Sequence, residues 1–498
     1  MKMTRNITTA ALTLATALTL SSCGDDFLNP ETLDSVTDKQ IADIAESGGE
    51  ALLKIVKSTM AGAYQQMIEY QSNHDVFGEM SVGLAGDMMT EDIVMDYSTW
   101  FFFDYQIDNR NADYRRPNRM WSYCYTTIAA CNEVIGTIPP DMRNPEFRGL
   151  RGEALALRAY MFHSLIQRFQ QTYAGNENKP GIVLPLVTND DREPVLGRAS
   201  VREVYDKILV DYDSAVSFLK DAPKRTGKTS IDHQVAAGLF ARALMTVQDW
   251  ERAAKYAAIA KSGYALMTGT EAADDGFNNI NNKEWMWGAD ITGETTTMFA
   301  SFFSHVCSYD EGYGESVYAP KMIDARLYDQ MNGTDSRRAW FKAPKTPVDK
   351  DSKVTEENAP VYCNFKFKKV DGWLADYVFM RAAEMYLIEA EALAQQGKTA
   401  DAYTVLKELM DNRDPSWATN RTIADVEDVF LQKRLELWGE GRIFYDYLRL
   451  KKGVYRDYED SNHIEKLMLN AGNWRFIYQI PQTEIDNNPA ISESDQNP

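Results

Sequence analysis

The stretch 381-RAAEMYLIEAEALAQQGKTADAYTVLKELMDN-412 decides the fold. From Ala390 onward it holds a helix, a short polar turn and a second helix. Ala390 falls in the first helix and Ala402 in the second, and small residues there let two antiparallel helices approach closely. The segment 241-ARALMTVQDWERAAKYAAIAKSG-263 repeats the plan, with Ala241 and Ala253 in the corresponding places. That is the logic of tetratricopeptide-type hairpins. The usual aromatic pattern is diluted, so a generic pair of antiparallel helices is the other reading.

Outward from these hairpins the chain is dominated by amphipathic helices. In 150–169, Leu150, Ala154, Leu157, Met161, Leu165 and Phe169 recur at steps of three and four, which is one apolar stripe. Comparable patterns run over 50–70, 117–138, 201–220, 232–247, 251–262, 378–396, 399–412 and 425–451. Two regions interrupt them, 73–116 and 265–375, both rich in Gly, Asn, Asp, Thr and aromatics. Short strands are expected at 284–288 (EWMWG) and 361–370 (VYCNFKFKKV). Irregular stretches of this length are usually functional or separately folded. The expectation is a mainly α protein in which tetratricopeptide-like helical hairpins form a scaffold, with a loop-rich region carrying short strands. It should behave as one unit with two sequence regions, 23–230 and 231–498.

The N-terminus predicts a signal peptide over 1–22. Lys2 and Arg5 precede the apolar run ITTAALTLATALTL (7–20), and Leu20-Ser21-Ser22-Cys23 closes it. The apolar run is too short to persist as a membrane span. A cysteine directly after small residues looks like a bacterial lipobox. That likeness implies cleavage before Cys23, a thioether-linked diacylglycerol on its thiol and an acyl chain on the new amine. Two or more chains anchor a protein stably. An ordinary secretory signal with a chance cysteine is the alternative. No second apolar run approaches membrane-spanning length, so a soluble body held by its lipid is expected. Residues 24–35 form an acidic, turn-rich leader.

Composition narrows the partners. The 498 residues carry a formal charge of −20 with no Lys/Arg-rich stretch, which argues against nucleic acid. It argues more weakly against a highly anionic ligand, and neutral ligands fit the bulk charge best. Cys124 and Cys131 lie on one expected helix, about 10.5 Å apart along its axis, too far to bridge. Cys307 and Cys363 are isolated, so no disulfide framework is expected. The five histidines are scattered without zinc-ligand spacing. Gly78, Gly83 and Gly86 lack the strand-then-helix context of a phosphate loop.

The C-terminal part of the chain resembles the SusD/RagB family of outer-membrane nutrient-binding lipoproteins. The residues that carry the resemblance are Arg381, Ala383, Glu384 and Glu389-Ala390-Glu391-Ala392. Glu436, Leu437, Glu440, Gly441 and Asp446 come next along the chain. Ile480-Pro481, Glu484-Ile485, Asn488-Pro489 and Gln496-Asn497-Pro498 close the pattern. Upstream, Trp121, Tyr125, Ile128 and Asn132, the stretch 151–169 and Asn282-Lys283-Glu284-Trp285 also match. Arg442 comes directly after Glu440-Gly441, where many members have one residue between, and a usual final Gly-Tyr is missing. The resemblance implies a lipid-anchored, surface-exposed outer-membrane protein that binds oligosaccharide and serves a SusC-like TonB-dependent barrel. It implies no catalysis and no cofactor, and some similar proteins take peptides. The many loop carboxylates leave a structural calcium open.

Two constellations carry the chemistry. Glu436 and Glu440 share one helix face. Paired carboxylates would suit a surface glycoside hydrolase, but Arg434, Arg442 and Arg449 stand ready to neutralise them, so a structural charge network is expected. The aromatic clusters YSTWFFFDY (97–105) and FASFFSHVCSYDEGYGESVY (299–318) are where binding is expected. A sugar has a flat C–H face that a flat ring complements, and Tyr or Trp adds a polar handle. The candidates for a glycan platform are Trp100, Tyr105, Tyr309 and Tyr313, then His305 and Asn109. Each could instead be a core or strand residue. Trp285 and Trp287 share one strand face and are expected in the core. A periplasmic tetratricopeptide scaffold would lack the long aromatic loops.

Overall fold

The computed structural model describes residues 49–185, 196–274, 276–308, 312–316, 319–344 and 359–498. The signal peptide and Cys23 lie outside the described residues. Contacts divide the chain into two units, 1–55 and 56–498. Of the first, the described residues are the opening turns of the helix Glu50–Gln65; all other described elements belong to the second.

A run of helices packs neighbour on neighbour: Arg115–Thr137 on Pro145–Phe169, that helix on Val201–Leu219, and so on to His233–Thr246 and Trp250–Lys261. The run then jumps in sequence, because Trp250–Lys261 packs against Ala382–Gln395, which pairs in turn with Thr399–Met410. The two hairpins singled out by the small-residue pattern are therefore stacked on each other. Ala241, Ala253, Ala390 and Ala402 are all buried at these contacts, so the backbones come close. Side-chain caps fix the starts. Asn144 accepts from Glu146 and Phe147 ahead of Pro145, Ser200 and Glu203 form a reciprocal box, and Asp232 and Asp249 cap the first hairpin. Among the described residues no helix is long and apolar enough to cross a membrane.

The expected helix over 378–396 begins at Ala382, because Tyr377–Arg381 is a strand. That strand pairs antiparallel with Trp285–Ala289, and Trp285 and Trp287 are fully buried there. The strand expected at 361–370 is absent. Cys363 and Asn364 make only isolated bridges, to Met322 and Phe341. The helix expected over 425–451 is two helices, Val426–Glu436 and Ile443–Arg449. Gly439 and Gly441 between them hold φ of 75° and 76°, a left-handed backbone that breaks the run. At Gly441 an added Cβ would lie 2.4 Å from the Gly83 Cα, so two backbones cross where only glycine fits. The four thiols Cys124, Cys131, Cys307 and Cys363 are buried and outside any disulfide.

A buried ion network joins strands, loops and helices. Arg381 reaches Glu284 at 2.6 Å, Glu436 at 2.8 Å and Glu440 at 2.7 Å. Arg413 meets Glu436 at 3.0 Å and Glu284 at 3.1 Å. Lys366 meets Glu440 at 2.6 Å, and Arg337 spans Asp335 and Glu436. Four cations balance four carboxylates, all nearly or wholly buried. The expected network exists, but its partners differ from those expected. Arg434 pairs with Asp92, Arg449 with Glu391 and Asp446, and Arg442 with the Tyr160 hydroxyl. Burial alone would raise the Glu436 carboxyl, yet Arg413, Arg381 and Arg337 hold it well below the ordinary range. A carboxylate pair this neutralised is not available as an acid and base.

Replacing Arg381 by Met leaves three buried carboxylates short of a cation. It should cost about 3–5 kcal/mol, read as a lower urea midpoint; an unchanged midpoint would show that the network does not hold the fold. Acid should act on the same kind of group. Burial opposes ionisation of Glu391, but Arg449 and Lys433 bring it down to about 2, and His463 and Arg326 do the same for Asp324. The stability these groups contribute is complete above their ordinary values and is lost as pH falls through about 2. Asp87 and Glu153, raised to about 7 by burial, act in the opposite sense between pH 7 and 4, and the buried His163 and His305 rings, lowered to about 3, offset them by losing stability as pH falls over the same range. Melting temperature should change little from pH 7 to 5 and fall steeply from pH 4 to 2; a fall that is complete by pH 5 would contradict this assignment.

Candidate functional site

Three loops converge on one surface. The first turns back on itself between Tyr70 and Phe77, which form an antiparallel bridge. Gly78 closes it with φ 74°, and a Cβ there would sit 2.0 Å from the Met67 carbonyl oxygen. This turn places His74. The second loop runs through Tyr97 to Trp100 and reverses at Phe101, whose φ is 69°, before the short helix Phe102–Tyr105. The third begins at Phe299. The Ser301 hydroxyl caps the helix Phe302–Val306, and the Ser304 hydroxyl accepts from the Tyr313 backbone at 3.2 Å.

The rings of these loops form a continuous array. His74 stacks against Trp100 with centroids 5.8 Å apart and planes at 21°. Tyr313 meets Trp100 edge-on at 6.3 Å and His74 at 5.6 Å, and its hydroxyl shares a hydrogen bond with His74 Nδ1. On one side the array continues through Phe299, 6.3 Å from Tyr313, to Trp373 at 5.9 Å. On the other side the Arg115 guanidinium lies 5.4 Å from the Trp100 ring and 5.7 Å from Tyr114, with Phe103 beyond at 5.8 Å. Phe299 and Phe103 are 46% and 45% exposed, and Trp100, Tyr313 and Tyr114 are half-buried. This is a shallow ledge of ring faces and edges with His74, Tyr313 and Arg115 as polar handles.

A second layer supports it. His305 is fully buried and stacks under Tyr313 at 4.9 Å, with Phe77 on its other side at 5.6 Å. Burial lowers the His305 ring to about 3, so it is neutral, and its Nε2–H donates to the His74 carbonyl at 2.7 Å. Beneath Trp100 lies a clamp of charges. Arg116 binds Asp75 and Asp104, each at 2.7 Å, and Arg110 lies 3.7 Å from Asp104. Arg115 also reaches Asp75. Burial would raise Asp75, but the Arg116 and Arg115 charges hold it below its ordinary value.

Of the expected residues, the fold brings Trp100 and Tyr313 together, with His305 behind them. His305 is a support and offers no face to a ligand. Tyr105 is corrected likewise: it is fully buried, its hydroxyl is 2.8 Å from His463 Nδ1, and burial pushes it up to about 12. Its ring turns inward because Phe101 reverses the chain just before it. Asn109 sits in a separate turn with φ 54°, its own N–H donating to Asp108. Tyr309 lies outside the described residues. Sequence reading missed His74, Phe299, Tyr114 and Arg115. Phe299 and Tyr114 lay in the regions already marked, whereas nothing local distinguishes Arg115 from Arg116.

A concavity of about 20 Å³ lies against Val76, Gly78 and Arg116 at the foot of the His74 turn, and two others lie elsewhere. One of about 60 Å³ sits among the helices against Tyr160, Arg168, Arg242 and Arg442. A wide polar cleft of about 1,370 Å³ runs along the 220–234 loop. A ledge that stacks flat rings needs none of them. Among the described residues no group of three or more His, Cys, Asp or Glu is placed to hold a metal ion.

A fold of stacked helical hairpins with loop-borne rings defines a class, and the comparisons agree with it. Residues 33–245 match a family described as "Starch-binding associating with outer membrane", and residues 349–498 match the "SusD family". The chain belongs to the SusD/RagB family. It is 23% identical to a SusD-like protein of Formosa agariphila, over 91% of this chain and 93% of that one. The crystal structure of a SusD-like carbohydrate binding protein from Bacteroides vulgatus is similar at TM-score 0.77 and 24% identity, covering 89% of this chain and 98% of that one. Surface glycan-binding protein A from Bacteroides uniformis is similar at TM-score 0.66 and 16% identity, over 89% and 99%.

Replacing Asp75 by Asn removes the charge on which Arg115 and Arg116 converge. It should cost about 3 kcal/mol and speed amide exchange over 101–106. Unchanged exchange there would show that the clamp does not hold the Trp100 loop.

Proposed function

We infer that this protein is a cell-surface glycan-binding lipoprotein that captures oligosaccharide on the Trp100–Tyr313 ledge and passes it to a SusC-like TonB-dependent barrel. The observation that carries the reading is the ledge itself: exposed and half-exposed rings from three loops, held rigid by a buried stack and an ion clamp. Rings presented on rigid supports give large contact area at little ordering cost. Two relatives in fold are described as carbohydrate- or glycan-binding, and one matching family description names starch binding and the outer membrane. The Leu20-Ser21-Ser22-Cys23 pattern supports attachment through a lipid on Cys23. The protein would act by binding, because the one carboxylate pair the sequence offered, Glu436 and Glu440, is locked to arginine and lysine inside the fold.

Affinity electrophoresis against a panel of polysaccharides tests this reading. Trp100→Ala should weaken retention about tenfold while lowering the melting temperature by no more than about 4 °C. Retention undiminished in that variant would remove the ledge as the binding site.

A further inference from the structure

We propose that the ledge takes an acidic oligosaccharide, one bearing carboxylate or sulfate groups, and that Arg115 is the residue that reads the anion. The proposal rests on the glycan-binding reading of the same surface and narrows it to a ligand class.

Position is the first argument. Arg115 lies inside the array, between the Trp100 and Tyr114 rings, with Phe103 beyond and Tyr313 before. A saccharide chain lying along the rings passes over the guanidinium. A cation flanked by two rings is held in place and partly stripped of water, and a guanidinium presents its donors in a planar fork that fits a carboxylate or a sulfate.

Charge is the second argument. The clamp beneath holds two carboxylates, Asp75 and Asp104, against three guanidiniums, Arg110, Arg115 and Arg116. It carries one positive charge in excess. Arg110, Arg116, Asp75 and Asp104 are all at least 95% buried, whereas the Arg115 side chain is 31% exposed. The excess therefore reaches solvent at Arg115. Among the described residues Arg115 makes a single hydrogen bond, from Nη1 to Asp75, which leaves its other donors unused within the fold. Asp75 also accepts from Arg116 at both its carboxylate and its carbonyl oxygen, so it keeps a buried cation when Arg115 engages an anion.

The bulk charge of −20 favours a neutral ligand, but charges farther than about 8 Å are screened at physiological salt. What a bound anion meets first is the local excess. Asp113 is an exposed acid two residues before Arg115; it lowers the attraction without supplying a donor.

The test compares wild type, Arg115→Gln, Arg115→Lys and Asp113→Asn on alginate, polygalacturonate and dextran sulfate, against the neutral starch, laminarin and dextran. Wild type should be retained at least about tenfold more strongly by an acidic polymer than by any neutral one. The uronate polymers and dextran sulfate separate carboxylate from sulfate recognition. Arg115→Gln should lose the preference with its melting temperature nearly unchanged, Arg115→Lys should keep part of it, and Asp113→Asn should keep all of it. Equal or stronger retention by a neutral polymer, or a preference that survives in Arg115→Gln, overturns the proposal. If neutral retention disappears in Trp100→Ala, the glycan-binding reading stands and only the acidic specificity falls. If wild type retains no polymer, both fall. The wild-type comparison decides the matter even where a variant does not fold.

Discussion

Arg381 is the constraint on which the rest of the structure depends. It ends the strand Tyr377–Arg381 and begins the helix Ala382–Gln395, so its guanidinium sits where the irregular region meets the helical scaffold. From there it binds Glu284 of the paired strand's edge and Glu436 and Glu440 of the C-terminal block. Removing two ions from water costs about as much as their attraction returns. The network is thus better understood as fixing one arrangement than as a large net gain in stability. With four cations matched to four carboxylates, any other docking of these segments would strand a buried charge. It also explains why Glu436 and Glu440, which look like a hydrolase pair in sequence, have no chemistry to offer.

The ledge inherits its rigidity from that arrangement. The segment Leu437–Arg442, directly after Glu436, carries Gly439 and Gly441, and Gly441 packs backbone to backbone on Gly83. Asp87, at the end of the helix Glu79–Asp87, accepts from the Gly441 and Ile443 amides at 2.7 and 3.2 Å and so caps the helix Ile443–Arg449. The helix Glu79–Asp87 begins one residue after Gly78, which closes the His74 turn. A chain of close contacts thus runs from the ion network through a glycine crossing to the ring that stacks on Trp100. Binding residues on loops with such supports can keep their geometry without a deep pocket.

Much of the scaffold was legible in the sequence, because helical periodicity is a local signal. The stripes over 150–169 and 201–220 and the alanines of the two hairpins lie in helices as expected. What was not legible depends on tertiary partners. The stretch 425–451 keeps its apolar period across Gly439 and Gly441, so periodicity alone runs through the break. The stretch 377–381 continues the apolar run of the next helix, and only pairing with Trp285–Ala289 makes it a strand. Glu436 and Glu440 draw their cations from Arg381, Arg413, Arg337 and Lys366, far away in sequence, instead of from the adjacent Arg434, Arg442 and Arg449. For the candidate site, the aromatic runs marked loops whose rings meet in one array but not the facing of each ring. In YSTWFFFDY, Trp100 faces the ledge and Tyr105 the core because Phe101 adopts a left-handed backbone, which composition does not encode. Arg115 was invisible for the same reason: only the fold separates it from its buried neighbour Arg116.

The most direct test of the account is a crystal structure of the protein bound to an oligosaccharide cut from whichever polymer it retains. The account predicts sugar rings lying against Trp100 and Tyr313, with the chain running past Tyr114. Density for the sugar in the cleft along the 220–234 loop, or among the helices beside Arg242, with the ledge left bare, would contradict it.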